Sequence, residues 1–169
     1  MVYNLIWILA TVVMALVQTT WPDFLTLQGV TPDLTLILVV YFAIAEGEER
    51  AMFTGALGGI YLDVASKVDL GHNILCLVVI GYAAGRLSTR LVTDHPAVKA
   101  GLVFLAGLAQ GVLYTSIRYV QFPADTPVLE TIIAAVIPTS FYTAVITPFV
   151  FFALSRVFKP VAAPQGSVT

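Results

Sequence analysis

The sequence predicts an all-α membrane protein with about six transmembrane helices, and three observations carry that prediction. The composition is 59% hydrophobic and only 11% charged, with mean hydropathy +0.93, whereas a soluble domain carries roughly 25% charge. The apolar residues fall in long unbroken runs separated by short polar breaks. Lys and Arg are concentrated in alternate breaks, the bias that orients multi-pass proteins in a bilayer. These features exclude a soluble domain on a single anchor. They also argue against an outer-membrane barrel, whose strands alternate apolar and polar residues over about ten positions.

A helix needs roughly 20 apolar residues to cross a hydrocarbon core about 30 Å thick. The first run, Tyr3 to Trp21, is ended by Pro22 and Asp23. Met1 to Asn4 carries no basic residue and no small-x-small cleavage site follows, so this run reads as a retained helix rather than a signal peptide. The second begins at Pro32-Asp33, a helix-start pair, and reaches Ala45. The third, Ala51 to Ala65, is short and rich in glycine, so it needs protein packed against it. The fourth runs from Asn73 to Leu91 and the fifth from Val98 to Val120. The sixth extends from near Val128 to near Phe158, with Pro138 and Pro148 inside it. Internal prolines predict kinks, and a break into two half-helices at Pro138 is the competing count. Residues 1–159 thus read as one polytopic domain and 160–169 as a disordered tail.

With the N-terminus inside, the cytoplasmic segments hold Arg50, Arg86, Arg90, Lys99, Arg156 and Lys159, and the outer ones only Lys67 and Arg118. That bias places both ends in the cytoplasm. Trp21, Tyr119 and Phe122 then fall near the outer interface, where amphipathic rings are favoured. No loop is long enough for a soluble domain. Net charge is -2, and no basic stripe exists to hold nucleic acid. Cys76 is the only cysteine, so it has no disulfide partner within the chain.

The sharpest pattern is Gly55, Gly59 and Asp63 at i, i+4 and i+8 on the third helix. Small residues at this spacing let another helix approach closely, and an ionisable group inside a span usually faces a partner or a wet cavity. The plainer alternative leaves Asp63 at the interface, touching water. Gly81 and Gly85 on the fourth helix, and Gly107 and Gly111 on the fifth, repeat the glycine spacing. Internal packing accounts for most such pairs, although a partner's face looks the same in sequence. On the fifth helix Gln110, Tyr114 and Arg118 share a face. Arg118 either pairs with Asp63 or snorkels to headgroups. Arg86 and Arg90 read as topology-fixing, lipid-facing charges, and Glu46, Glu48 and Glu49 as a solvated acidic turn.

Catalysis finds little support. Asp63, Ser66 and His72 are close in sequence, but no nucleophile turn such as G-x-S-x-G accompanies them. Glu48-Glu49 resembles the paired glutamates of intramembrane CAAX-type proteases, yet position 53, where those carry arginine, is Phe53. His72 and His95 fall on opposite membrane sides, too far apart to share a metal. No cofactor and no phosphate-binding glycine loop is expected.

From Thr31 to Gly85 a set of loose motifs recurs in a specific order: Pro32-Asp33-Leu34, Gly47, Gly55, Gly59 and Asp63 as G-x-x-x-G-x-x-x-D, Leu70-Gly71, Asn73 with Leu75, then Gly81-Tyr82 and Gly85. In this order the chain resembles the MreD family, small integral membrane proteins of the bacterial rod-shape system. The resemblance implies a fold similar to the S-components of energy-coupling-factor vitamin transporters. It implies a non-catalytic scaffold that binds MreC, a single-span protein, within an assembly containing MreB, RodA and penicillin-binding synthases. The other reading is an S-component-like vitamin carrier. Such carriers dock their coupling subunit through A-x-x-x-A in the first helix, whereas Ala10 and Ala15 here are five apart. On the scaffold reading, Gly55, Gly59 and Asp63, with Gly107 and Gly111, are the expected partner faces. Asp33, Asp63, Asn73, Gln110 and Arg118 are expected to line an outer polar cavity. Self-association is left open.

Overall fold

A computed structural model describes residues 2–20, 22, 26, 29–66, 71–90, 95–123 and 127–158. Trp21, Lys67, Leu70, Leu91, Lys159 and the tail from Pro160 onward lie outside them. The described residues form six helices: α1 Val2–Thr19, α2 Leu34–Ala45, α3 Glu48–Ser66, α4 His72–Ser88, α5 Pro96–Gln121 and α6 Val128–Val157. Successive helices run antiparallel. Arg50, Arg86, Lys99 and Arg156 gather at one end of the bundle, called the basic end below, and the helix ends near Asp63, Arg118 and Thr131 form the other.

Helix α2 is the axis of the fold. Asp33 starts it by accepting a 2.8 Å hydrogen bond from the Leu36 amide through Oδ1, which satisfies one of the free donors of a first turn. Every residue from Leu34 to Ala43 is then buried, as expected of a helix apolar on all sides. All the other helices touch it. With 12 residues, α2 is only about 18 Å long. Among the described residues two helices, α5 and α6, are long and apolar enough to cross a membrane on length and composition alone.

Helix α3 begins at Glu48, one turn earlier than expected from hydropathy. Glu48 and Glu49 are therefore its first turn and not a loop, because carboxylates are favoured where the helix dipole is positive. Both glutamates flanking Gly47 find partners. Arg50 Nε lies 2.9 Å from Glu46 Oε2, and Arg86 Nε lies 2.8 Å from Glu48 Oε2. Tyr3 donates its hydroxyl to Glu46, and the Arg50 guanidinium sits 4.5 Å from the Trp7 ring centroid. Trp7 donates to Thr54 Oγ1 at 2.8 Å, which fastens α1 to α3. The aromatic rings of Tyr41, Phe42, Phe151 and Phe158 pack edge-on at this end, where α2 meets α6.

Helix α6 stays unbroken through Pro138. Residues Ile132–Val136 form a π-helical stretch, and the Ile137 amide donates to the Ile132 carbonyl five residues back. A proline forfeits its own amide and collides with the carbonyl four residues before it. A widened turn immediately upstream accommodates both problems without ending the helix.

Candidate functional site

Helices α3 and α4 form the closest pair in the fold, and glycine is the reason. A Cβ on Gly55 would stand 2.6 Å from the Leu77 carbonyl oxygen, and one on Gly59 2.6 Å from Ile74 Cα. The contact is reciprocal, since a Cβ on Gly81 would meet Ala51 backbone at 2.9 Å and one on Gly85 would meet Glu48 Cα at 2.5 Å. Backbone sits against backbone over nearly the whole hairpin. Similarly, Gly107 and Gly111 of α5 receive Ser140 and Val136 of α6. Both faces expected to receive a partner helix are therefore filled by the chain's own helices. Sequence cannot separate the two cases, because internal and external helices need the same small residues.

Asp63 completes the hairpin. It is 1% exposed. Its Oδ2 accepts from the Gly71 amide at 2.9 Å and the Ile74 amide at 3.3 Å. Its Oδ1 accepts from the Asn73 amide at 3.0 Å and the Asn73 side-chain amide at 2.9 Å. The carboxylate thus caps α4 from the neighbouring helix, where charge-assisted bonds and the helix dipole both favour an anion. Gly71, at φ +115°, turns the chain so that these amides converge. Asp63 consequently faces the chain's own α4 and lines none of the cavities described below, which corrects the cavity role expected of it. Arg118 is exposed on α5, and no ion pair joins it to Asp63 among the described residues. Ser66 donates to the Leu62 carbonyl, and the His72 ring nitrogen pairs with Gln121, so Asp63, Ser66 and His72 are each engaged separately.

A cavity of about 290 Å³, mostly apolar but holding several polar side chains, does exist at the end away from Arg50 and Arg86, between α2, α5 and α6. Of the residues expected there, Asp33, Asn73 and Gln110 line it, and Asp63 and Arg118 do not. Gln110 donates Nε2 to Asp33 Oδ2 at 3.0 Å, and the Asp33 amide donates to Thr143 Oγ1 at 2.9 Å. Gln110 Oε1 is buried without a hydrogen-bond partner, a condition that ordinarily costs about 1–3 kcal/mol. Thr139, Ser140 and Thr143 complete the α6 wall. These three were not anticipated, although Thr139, Thr143 and Thr147 recur every four residues and mark a polar stripe in sequence.

A second recess, about 180 Å³, lies between α4 and α5 and is wholly apolar. Ala83, Ala84, Ala106 and Ala109 line it together with leucine and isoleucine. Ala83 and Ala109 are exposed. Elsewhere the outer surface is bulky, with Leu5, Leu9, Phe141 and Phe149 all exposed, as suits a lipid-facing wall. Among the described residues no cluster of His, Cys, Asp and Glu is arranged to hold a metal.

An apolar exterior around a glycine-tight helical core, with polar groups sequestered inside, defines an all-helical integral membrane protein. The sequence model of the family described as rod shape-determining protein MreD matches residues 1–159, and the chain belongs to that family. No curated protein and no solved structure matches it. Membership makes this a membrane protein of rod-shape determination, in a family not known for catalysis.

Proposed function

We propose that the chain is a non-catalytic, six-span scaffold of the cell-elongation complex, resident in the inner membrane with both termini cytoplasmic, and that it binds MreC. The observation that carries this reading is the family match across residues 1–159. The excess of Lys and Arg at one end of the bundle supports the orientation. Peptidoglycan synthesis is then supported indirectly, by holding MreC alongside MreB, RodA and the penicillin-binding synthases. The S-component-like architecture belongs to the same reading, without vitamin capture as its task.

The MreC helix is assigned to the α4–α5 recess. Lipid tails give little hydrophobic drive for helix association, so a partner helix needs a surface its backbone can approach. The glycine faces are occupied internally, and the alanine-lined recess is an apolar surface with small exposed residues. Detergent co-purification tests the reading. MreC should be recovered with the tagged wild-type chain. Ala83→Phe and Ala109→Phe, at exposed positions, should lower its recovery about tenfold, equivalent to about 1.4 kcal/mol. Recovery unchanged in both variants would refute the placement, and no recovery with the wild type would refute the partner.

A further inference from the structure

The geometry points to a ligand site: we propose that the cavity beside Asp33 and Gln110 binds a small molecule or lipid headgroup through a primary ammonium group. This goes beyond the scaffold role and does not depend on it. At about 290 Å³, the cavity is at the lower end of small-molecule sites, which start near 300 Å³. Its polarity is one-sided. No Lys, Arg or His lines it, and a carboxylate does.

Several hydrogens of the lining are already committed. Ser140 donates to the Val136 carbonyl, Thr143 to the Thr139 carbonyl and Thr131 to the Pro127 carbonyl. Gln110 spends an Nε2 hydrogen on Asp33. Acceptors line the cavity: the buried, unpartnered Gln110 Oε1, the Asp33 carboxylate and the hydroxyl oxygens. A carboxylate offers about four acceptor sites. On Asp33 these are shared among the Leu36 amide, Gln110, Gln18 and the Thr35 amide, and the charge remains. An anion finds no cationic side chain to neutralise it in such a site. An ammonium brings three donors and no acceptor, and the charge complements Asp33. The Tyr114 ring on the wall adds a surface that favours cations. The widened turn of α6 places Ala135 and Val136 on the same wall. Turns of this kind are frequent at functional sites.

The ammonium has two available sources, an aminophospholipid headgroup or a free amine. Native mass spectrometry of the detergent-purified, delipidated chain separates them. The probes are phosphatidylethanolamine against phosphatidylglycerol, and phenethylamine against 2-phenylethanol. Either amine should bind at least about tenfold better than its ammonium-free counterpart, a difference of about 1.4 kcal/mol. Preference for the phospholipid alone identifies a headgroup, and preference for phenethylamine identifies a free amine. Asp33→Asn keeps the helix cap and removes the charge, so the preference should disappear. Thr139→Leu fills the cavity from its wall and should abolish binding while Asp33 stays intact. No amine preference in the wild type overturns the proposal, as does a preference that survives in both variants. If only one variant folds, it decides. If neither folds, the wild-type selectivity decides alone.

Discussion

Replacing Gly59 by alanine adds one methyl group where the structure has no room for it. The new Cβ would lie 2.6 Å from Ile74 Cα and 2.7 Å from the Ile74 amide nitrogen, against about 3.5–4.0 Å for an unstrained carbon contact. The neighbour is backbone, so no side-chain rotation relieves the overlap, and α3 and α4 must part by about 1 Å at that level. The Asp63 hydrogen bonds to Gly71, Asn73 and Ile74 lie one turn away at 2.9–3.3 Å. The same parting stretches them beyond useful length. Overpacking of this kind costs about 1–3 kcal/mol, and each weakened bond adds about 0.5–1.5 kcal/mol. Loss of about 2–4 kcal/mol is expected. Gly101→Ala is the matched control, because its Cβ meets nothing within 4 Å and alanine gains about 0.5–1 kcal/mol in a helix interior. Cys76, the single cysteine and fully buried, supplies the assay. A thiol-reactive fluorophore reports its exposure during heating in detergent. Gly59→Ala should expose Cys76 at a clearly lower temperature than wild type, and Gly101→Ala at the same or a higher one. Indistinguishable transitions for the two variants would refute the account of the α3–α4 hairpin.

Asp63→Ala should destabilise the chain by about 2–4 kcal/mol, because it strands several buried amides, with Asp63→Asn intermediate; the Cys76 exposure temperature ranks the three. Gly71→Ala meets no steric neighbour but must adopt φ +115°, so a loss of about 1–2 kcal/mol from backbone strain alone is expected in the same assay. Reporter fusions after Phe158 should score cytoplasmic, and fusions at Asp69 or Asp125 periplasmic; a periplasmic C-terminus would contradict the six-span orientation.

The helices were legible because hydropathy and punctuation agree. Pro32-Asp33 opens α2 where the start signal stands, and α5 begins at Pro96, two residues before the expected Val98. The boundary at Glu48 was not legible from hydropathy, which penalises glutamate, whereas the dipole of a first turn rewards it. At Pro138 the local rule predicted a kink and left a break as the competing count, and the π-helical turn upstream absorbs the defect through a register that no single residue announces. The glycine periodicity correctly marks close helix contact but carries no information on which helix arrives. Gly55 and Gly59 meet Leu77 and Ile74, and Gly81 and Gly85 meet Ala51 and Glu48, only because the hairpin is antiparallel with a short connection. Asp63 illustrates the same gap. The sequence marks an intramembrane carboxylate as costly, and the structure satisfies it with backbone amides eight to eleven residues onward. Asp33 and Gln110 are 77 residues apart, so their meeting required the packing of α2 against α5.

In-cell photocrosslinking tests the central claim, that this membrane scaffold holds MreC along the α4–α5 recess. A photoreactive residue at exposed Ala109 places the probe in the recess, and one at exposed Phe149 of α6 places it on the bulky outer wall. The account predicts an MreC adduct from Ala109 and none from Phe149. An MreC adduct from Phe149 with none from Ala109, or no MreC adduct from any exposed helix position of a chain whose Cys76 stays protected, would contradict it.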